Sequence, residues 1–181
     1  MNIIIIAVIV VVVLWAIGQY NGLIGVRNKC DHAWAQIDVM LKKRFDLIPN
    51  LVETVKGYAS HEKEVFEGVA RARSMMDNAN GVAQQAEADN MLSNTLKSLF
   101  AVAEAYPELK ANENFMSLQN ELSDIETKIS YERQFYNDAV YAFNTQIQQF
   151  PGTIFAMLFH FTPREFFKTE GAERENVQVK F

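Results

Sequence analysis

The chain has 181 residues, 49% of them hydrophobic and 22% charged, which suits one domain with a continuous core plus an appendage. Its formal net charge of -5, with acids and bases interleaved, excludes a nucleic-acid surface, which needs clustered Lys and Arg to displace counterions; Lys42-Lys43-Arg44 is the one basic run. The single cysteine, Cys30, excludes an internal disulfide framework, and its apolar helical surroundings read as those of a small buried hydrophobe rather than a reactive thiol.

Residues 3–17, IIIIAVIVVVVLWAI, are apolar without interruption, and a helix apolar on every face is a membrane segment. At about 1.5 Å per residue this run reaches about 22 Å against a hydrocarbon core of about 30 Å, so Gly18 to Ile24 are expected to share the span, with Tyr20 near one interface. A secretory signal wants a basic n-region, which Asn2 does not supply, so the anchor is expected to be retained.

From there Leu23, Cys30, Trp34, Ile37, Leu41 and Ile48 fall on three-four spacing, with Arg44 on the same stripe. Leu51, Val55, Tyr58, Val65, Val69, Ala72 and Met76 continue it, interrupted by Glu62. Pro49 lacks an amide hydrogen and its ring meets the carbonyl four residues back, while Ile48 before it is pushed from helical angles. The chain is therefore expected to turn at Ile48 to Asn50 between two antiparallel helices. The stripe nevertheless crosses Pro49 in phase, as one long kinked helix also requires. Asp77-Asn78-Ala79-Asn80-Gly81 reads as the next turn. A third helix, about 82–105, carries Leu92, Leu96, Leu99 and Ala103 and ends at Tyr106-Pro107. The fourth, expected to be the longest, carries Phe115, Leu118, Leu122, Ile125, Ile129, Tyr136, Ala139, Phe143 and Ile147, broken by Glu132, and stops at Phe150-Pro151-Gly152. An aromatic segment and a polar tail follow, and in the tail Val177, Val179 and Phe181 alternate in a way that permits a short strand.

The stretch Lys43 to Glu62, KRFDLIPNLVETVKGYASHE, resembles the signature of the LemA family, in which a basic pair, an aspartate and LIPNLVETVKGYA stand at the corresponding place. Tyr20-Asn21, Ala33-Trp34, Tyr106-Pro107, Tyr136-Asn137, Phe150-Pro151 and Phe166-Phe167 extend the resemblance over nearly the whole chain. It implies a membrane-anchored helical bundle without a settled biochemical activity. It also points toward membrane organisation, since one relative is associated with forming magnetosome membranes. Some relatives carry a lipobox cysteine just before their Tyr-Asn pair; Gly18 stands near that place here, so lipid attachment of that kind is not expected.

Cys30, His32, His61 and Glu62 are the residues to weigh as metal ligands. Cys30 and His32, two apart on a helix, point away from each other, and Val65 stands where an HExxH pattern begun at His61 needs its second histidine. With no Gly-rich phosphate loop, nucleophile elbow or CxxC pair in the chain, no metal, cofactor or catalytic residue is expected. Arg44, Glu62 and Glu132 interrupt apolar stripes. They either pair with one another in the interior, where charges persist only when paired, or sit at stripe edges and reach water along their own stems. Arg44 is expected to be buried beside a carboxylate, with Glu132, Glu62 and Glu53 as candidates. The pairs Tyr20-Asn21, Tyr136-Asn137 and Phe143-Asn144 are read either as amides bridging helices or as core rings beside surface amides.

These readings combine into an all-α protein: an N-terminal transmembrane helix (residues 1–24), an antiparallel four-helix bundle (25–150), and an aromatic membrane-proximal segment with the tail (151–181). Counting helix directions from the anchor brings Phe150 back beside the bilayer. Phe155, Leu158, Phe159, Phe161, Phe166 and Phe167 are then expected at the interface, with Arg164 and Lys168 near head groups, unless the rings close the open end of the bundle core. The expected function is that of a non-enzymatic scaffold of the bacterial envelope, single-pass in the inner membrane, whose partners are the lipid bilayer and further copies of itself, in a homo-oligomer. The alternative is an adaptor or sensing module that docks a specific envelope protease or signalling complex. Arg27 and Lys29 follow the anchor with no Lys or Arg before it, which favours a cytoplasmic bundle; lipobox-bearing relatives expose theirs on the other side.

Overall fold

A computed structural model describes residues 2–168; the alternating Val177, Val179 and Phe181 lie outside them. The described residues form helices and connecting segments, without a strand: α1 Asn2–Lys56, α2 Lys63–Asn78, α3 Gly81–Glu104, the single turn α4 Pro107–Lys110, α5 Glu113–Gln148 and α6 Gly152–Phe159.

The expected turn at Ile48 to Asn50 is corrected by α1, which runs unbroken for 55 residues with Pro49 inside it. An interior proline costs a helix about 3 kcal/mol. Burial on either side outweighs that: Ile48 and Leu51 are fully buried and Val55 is 1% exposed, and each such side chain stabilises by roughly 1.5–3 kcal/mol. A turn at Pro49 would have broken this stripe, so the phase of the apolar residues decides the outcome rather than the proline. The chain turns instead at residues 57–62, where the N–H groups of Tyr58 and Ala59 both donate to the Val55 carbonyl, at 3.0 and 2.9 Å. The 36-residue α5 is therefore not the longest helix.

The other ends follow local chemistry. The Asn80 N–H donates to Gln84 Oε1 at 2.8 Å, and Gly81 takes φ +81°, a left-handed angle that costs only glycine little. Pro107 opens α4 at a position whose amide would be unsatisfied anyway. Asn112 Oδ1 accepts the Phe115 N–H at 3.0 Å and so caps α5. The Phe150–Pro151 peptide is cis, and α6 ends at His160, with φ 57°.

The described residues divide into two compact units, 2–36 with 132–166, and 37–131 with 167–168. Both α1 and α5 contribute to each. The core of the second unit gathers Ile48, Leu51 and Val55 from α1, Val69 and Ala72 from α2, Leu92, Leu96 and Leu99 from α3, and Phe115 and Leu122 from α5. Packing of α2 on α3 is close: a Cβ on Gly68 would lie 3.2 Å from Thr95 Cγ2. In the first unit Leu23 and Cys30 of α1 and Tyr136, Val140 and Phe143 of α5 are buried, and the Trp34 and Tyr136 ring centroids lie 5.5 Å apart.

Candidate functional site

The N-terminal part of α1 has the opposite character to a core helix. From Ile3 to Leu14 every residue is exposed, Ile3 at 83% and Leu14 at 63%, and the first charged side chain is Arg27. A soluble helix does not present such a surface to water. One helix of the described residues is long and apolar enough to cross a membrane, and none of its most apolar stretch is buried.

Beside the end of this stretch lies α6, whose sequence GTIFAMLF contains no charge. Phe155 meets Trp15 edge-on with centroids 6.3 Å apart, and Phe159 meets Tyr20 at 4.6 Å. The chain after α6 is strapped to α5. Asn144 Nδ2 donates to the Arg164 carbonyl at 2.9 Å and Asn144 Oδ1 accepts the Arg164 N–H at 2.8 Å, a two-point bridge. The Tyr136 hydroxyl donates to the Glu165 carbonyl at 2.9 Å. Phe161 packs against Phe143 at 6.2 Å and Tyr20 at 6.2 Å, with the Arg27 guanidinium 5.8 Å above its ring. Of the aromatic-Asn pairs, Asn144 bridges α5 to the chain after α6; Asn137 is half-buried and Asn21 exposed.

The charges near this strap pair off. Arg164 Nη1 lies 2.6 Å from Asp31 Oδ1. Burial pushes the Cys30 thiol up, with nearby Arg164 opposing. Burial likewise pushes the Tyr136 hydroxyl up to about 12, Arg164 opposing and Cys30, Glu165 and Asp31 adding. Phe166 is 40% exposed, but Phe167, read with it as interfacial, is 2% exposed. Lys168 is exposed, and its carbonyl accepts from Asn90 Nδ2 at 3.3 Å.

In the second unit Arg44 is 3% exposed, which rules out the stripe-edge reading for it. Its partners are not Glu132, Glu62 or Glu53. Nη1 donates to Asp89 Oδ1 at 2.7 Å, and Glu126 Oε2 lies 2.8 Å from the same nitrogen, an ion pair out of line with the N–H bond. Asp89 is fully buried. A signal for it was present, because residues 89, 92, 96, 99 and 103 form one stripe, so an aspartate stands at an apolar position of α3 just as Arg44 does on α1. Glu126 sits beside Ile125 and Ile129 at the edge of the α5 stripe.

The remaining candidates lie apart from this pair. Glu62 is half-buried and accepts from the Tyr106 hydroxyl at 3.3 Å, which, after burial, adds to the upward push on that hydroxyl. Glu132 is half-buried and lines an open groove of about 750 Å³ with Lys29, His32 and Phe135. Pro49 is half-buried; Asn50 is exposed, its carbonyl accepting from Thr54 Oγ1 at 2.8 Å. Among the described residues no group of three or more His, Cys, Asp or Glu is placed to hold a metal ion.

These features define an all-helical protein with one N-terminal helix able to cross a membrane. The chain belongs to the LemA family, whose family model matches residues 33–181. It is similar to Magnetosome protein MamQ 2 of Paramagnetospirillum magneticum and Magnetosome protein MamQ of Magnetospirillum gryphiswaldense. Each is 23% identical over 180 residues, covering 85% of this chain and 66% of the relative. It is also similar to Protein LemA of Metamycoplasma hominis, 24% identical over 135 residues, covering 74% of this chain and 62% of that protein. The chain thus spans just under two thirds of the length of these relatives. None of the three is named for an enzymatic activity.

Proposed function

We propose that this protein is a non-enzymatic scaffold of the bacterial inner membrane, single-pass, which self-associates through its helical part. The observation that carries the reading is the exposed, charge-free stretch of α1. Arg44, Asp89 and Glu126 hold helices to one another, and Arg164 and Asn144 hold a strap. The likeness to magnetosome proteins agrees with the role in membrane organisation that the family resemblance implies. The short links between α1, α2 and α3 support an antiparallel four-helix bundle completed by α5, as short connections join antiparallel neighbours. Arg27 and Lys29 favour a cytoplasmic bundle. Cys30 is buried, so a cysteine at Asn80, labelled in intact cells by an impermeant maleimide, reports the side.

Light scattering coupled to size exclusion in mild detergent tests the function. A particle holding several copies supports the scaffold, and a strictly monomeric one refutes it. The monomer is the outcome expected of an adaptor for another envelope protein, a reading favoured by Phe135 and Tyr141, which stand 65% and 66% exposed on α5.

A further inference from the structure

Of the apolar surface the structure leaves open, α6 is the part that α1 does not explain. Ile154, Met157 and Leu158, 51%, 73% and 65% exposed, stand at i, i+3 and i+4 and form one outward stripe. The opposite side of the helix is apolar as well: Ala156 is buried and Phe155 rests on Trp15. A helix with apolar residues on both its inner and outer sides, and no charge, suits lipid better than water.

Its position along α1 says which lipid. The uninterrupted apolar run ends at Ile17, so at about 1.5 Å per residue it falls roughly 8 Å short of a hydrocarbon core of about 30 Å. Trp15 and Tyr20, the residues that α6 touches, flank the place where that shortfall must be met. The first charges follow beyond it: Arg27 over Phe161, and Asp31 paired with Arg164. They mark a polar boundary for α1 and for the chain leaving α6 alike.

We propose that α6 is a second membrane-embedded element, seated in the bilayer leaflet occupied by the Trp15–Tyr20 stretch of α1, with Ile154, Met157 and Leu158 against acyl chains. It does not span; it widens the anchor into a two-helix foot. The proposal rests on the reading of α1 as membrane-spanning, and its test separates the two.

The full-length protein is reconstituted in phosphatidylcholine–phosphatidylglycerol vesicles with a single added cysteine at Val10, Met157 or Ser117, carrying an environment-sensitive fluorophore. Cys30, being buried, stays in place, and protein without an added cysteine corrects for any label it takes. Val10 reports on α1, and the exposed Ser117 on α5 serves as the aqueous reference. The expected result is that the Met157 probe is quenched by doxyl groups placed high on the acyl chains and that iodide quenches it on the order of tenfold less than the Ser117 probe. If the Val10 probe is lipid-quenched while the Met157 probe follows Ser117, the span stands and the proposal fails. A Met157 probe shielded from iodide and from doxyl lipid alike means that a second copy of the chain covers α6, which also overturns it. Iodide quenching at Val10 removes the span and the proposal together.

Discussion

Arg44 and Asp89 hold each other in the second unit at 2.7 Å, with side chains 4% and 0% exposed, while Glu126, the other carboxylate, is 41% exposed. Removing one member of a buried ion pair takes from the other a charge partner that water cannot replace, whereas an exposed partner is screened by water. Arg44→Ala should therefore cost on the order of 3–5 kcal/mol in urea denaturation followed by circular dichroism, and Glu126→Ala under about 1 kcal/mol. Equal losses from the two would contradict the asymmetry. Tyr136 gives a pH dependence. Its folded hydroxyl titrates at about 12 and the unfolded one near the ordinary value of about 10, so its contribution is intact below pH 10. It is lost as pH rises toward 12, on the order of 2–3 kcal/mol, because the unfolded chain releases its proton first. Melting temperatures taken from pH 9 to 12 should fall more steeply for the native protein than for Tyr136→Phe. The place of Arg44 was legible in its stripe, since a charge at an apolar position is buried only with a partner. Its partner was missed because Asp89 was not counted on the α3 stripe that it begins.

At the scale of elements, apolar periodicity foretold α3 and α5 within a few residues and the end of α2, but the turn expected at Pro49 put the start of the second helix at Leu51 rather than Lys63. For α1 the periodicity carried more information than Pro49 did. If Pro49 made a turn, replacing it would damage the fold. Inside a helix, Pro49→Ala restores an amide donor and removes a ring clash, so it should stabilise, by up to about 3 kcal/mol. A fall in melting temperature would return Pro49 to the role of a turn residue. The entry to α6 depends on Gly152, which is buried. A Cβ there would run into the Gln146 backbone carbonyl, which cannot swing aside as a side chain can. Gly152→Ala should cost at least about 1–3 kcal/mol, as overpacking does, while Gly18→Ala, with nothing within 4 Å, should be silent in the same melts. No pattern in the residues announced this contact, because it arises where the chain doubles back between α5 and α6. The aromatic run was legible as apolar, but the division within it was not. Phe159 packs on Tyr20 and remains half exposed, whereas Phe167 is buried.

For the molecule as a whole, the all-helical class and an N-terminal helix apolar enough to cross a membrane could be read from two patterns alone, an apolar run without charges and three-four stripes after it. The polar residues that break those stripes point to no one chemistry: Arg44 is paired with Asp89, Glu62 accepts from Tyr106, and Glu132 lines an open groove. The central claim is that α1 crosses the bilayer and places the rest of the chain beside it. Electron paramagnetic resonance with nitroxides placed singly from Ile3 to Lys29, on full-length protein in vesicles, tests this most directly by comparing collisions with oxygen and with a water-soluble nickel chelate. The account predicts that the probes are open to oxygen and closed to the chelate from Ile3 to about Gly22, roughly 30 Å of helix, and that access to the chelate rises before Arg27. Chelate access that oscillates with the helical period from Ile3 onward would instead describe a helix lying in water or on the membrane surface, and would contradict it.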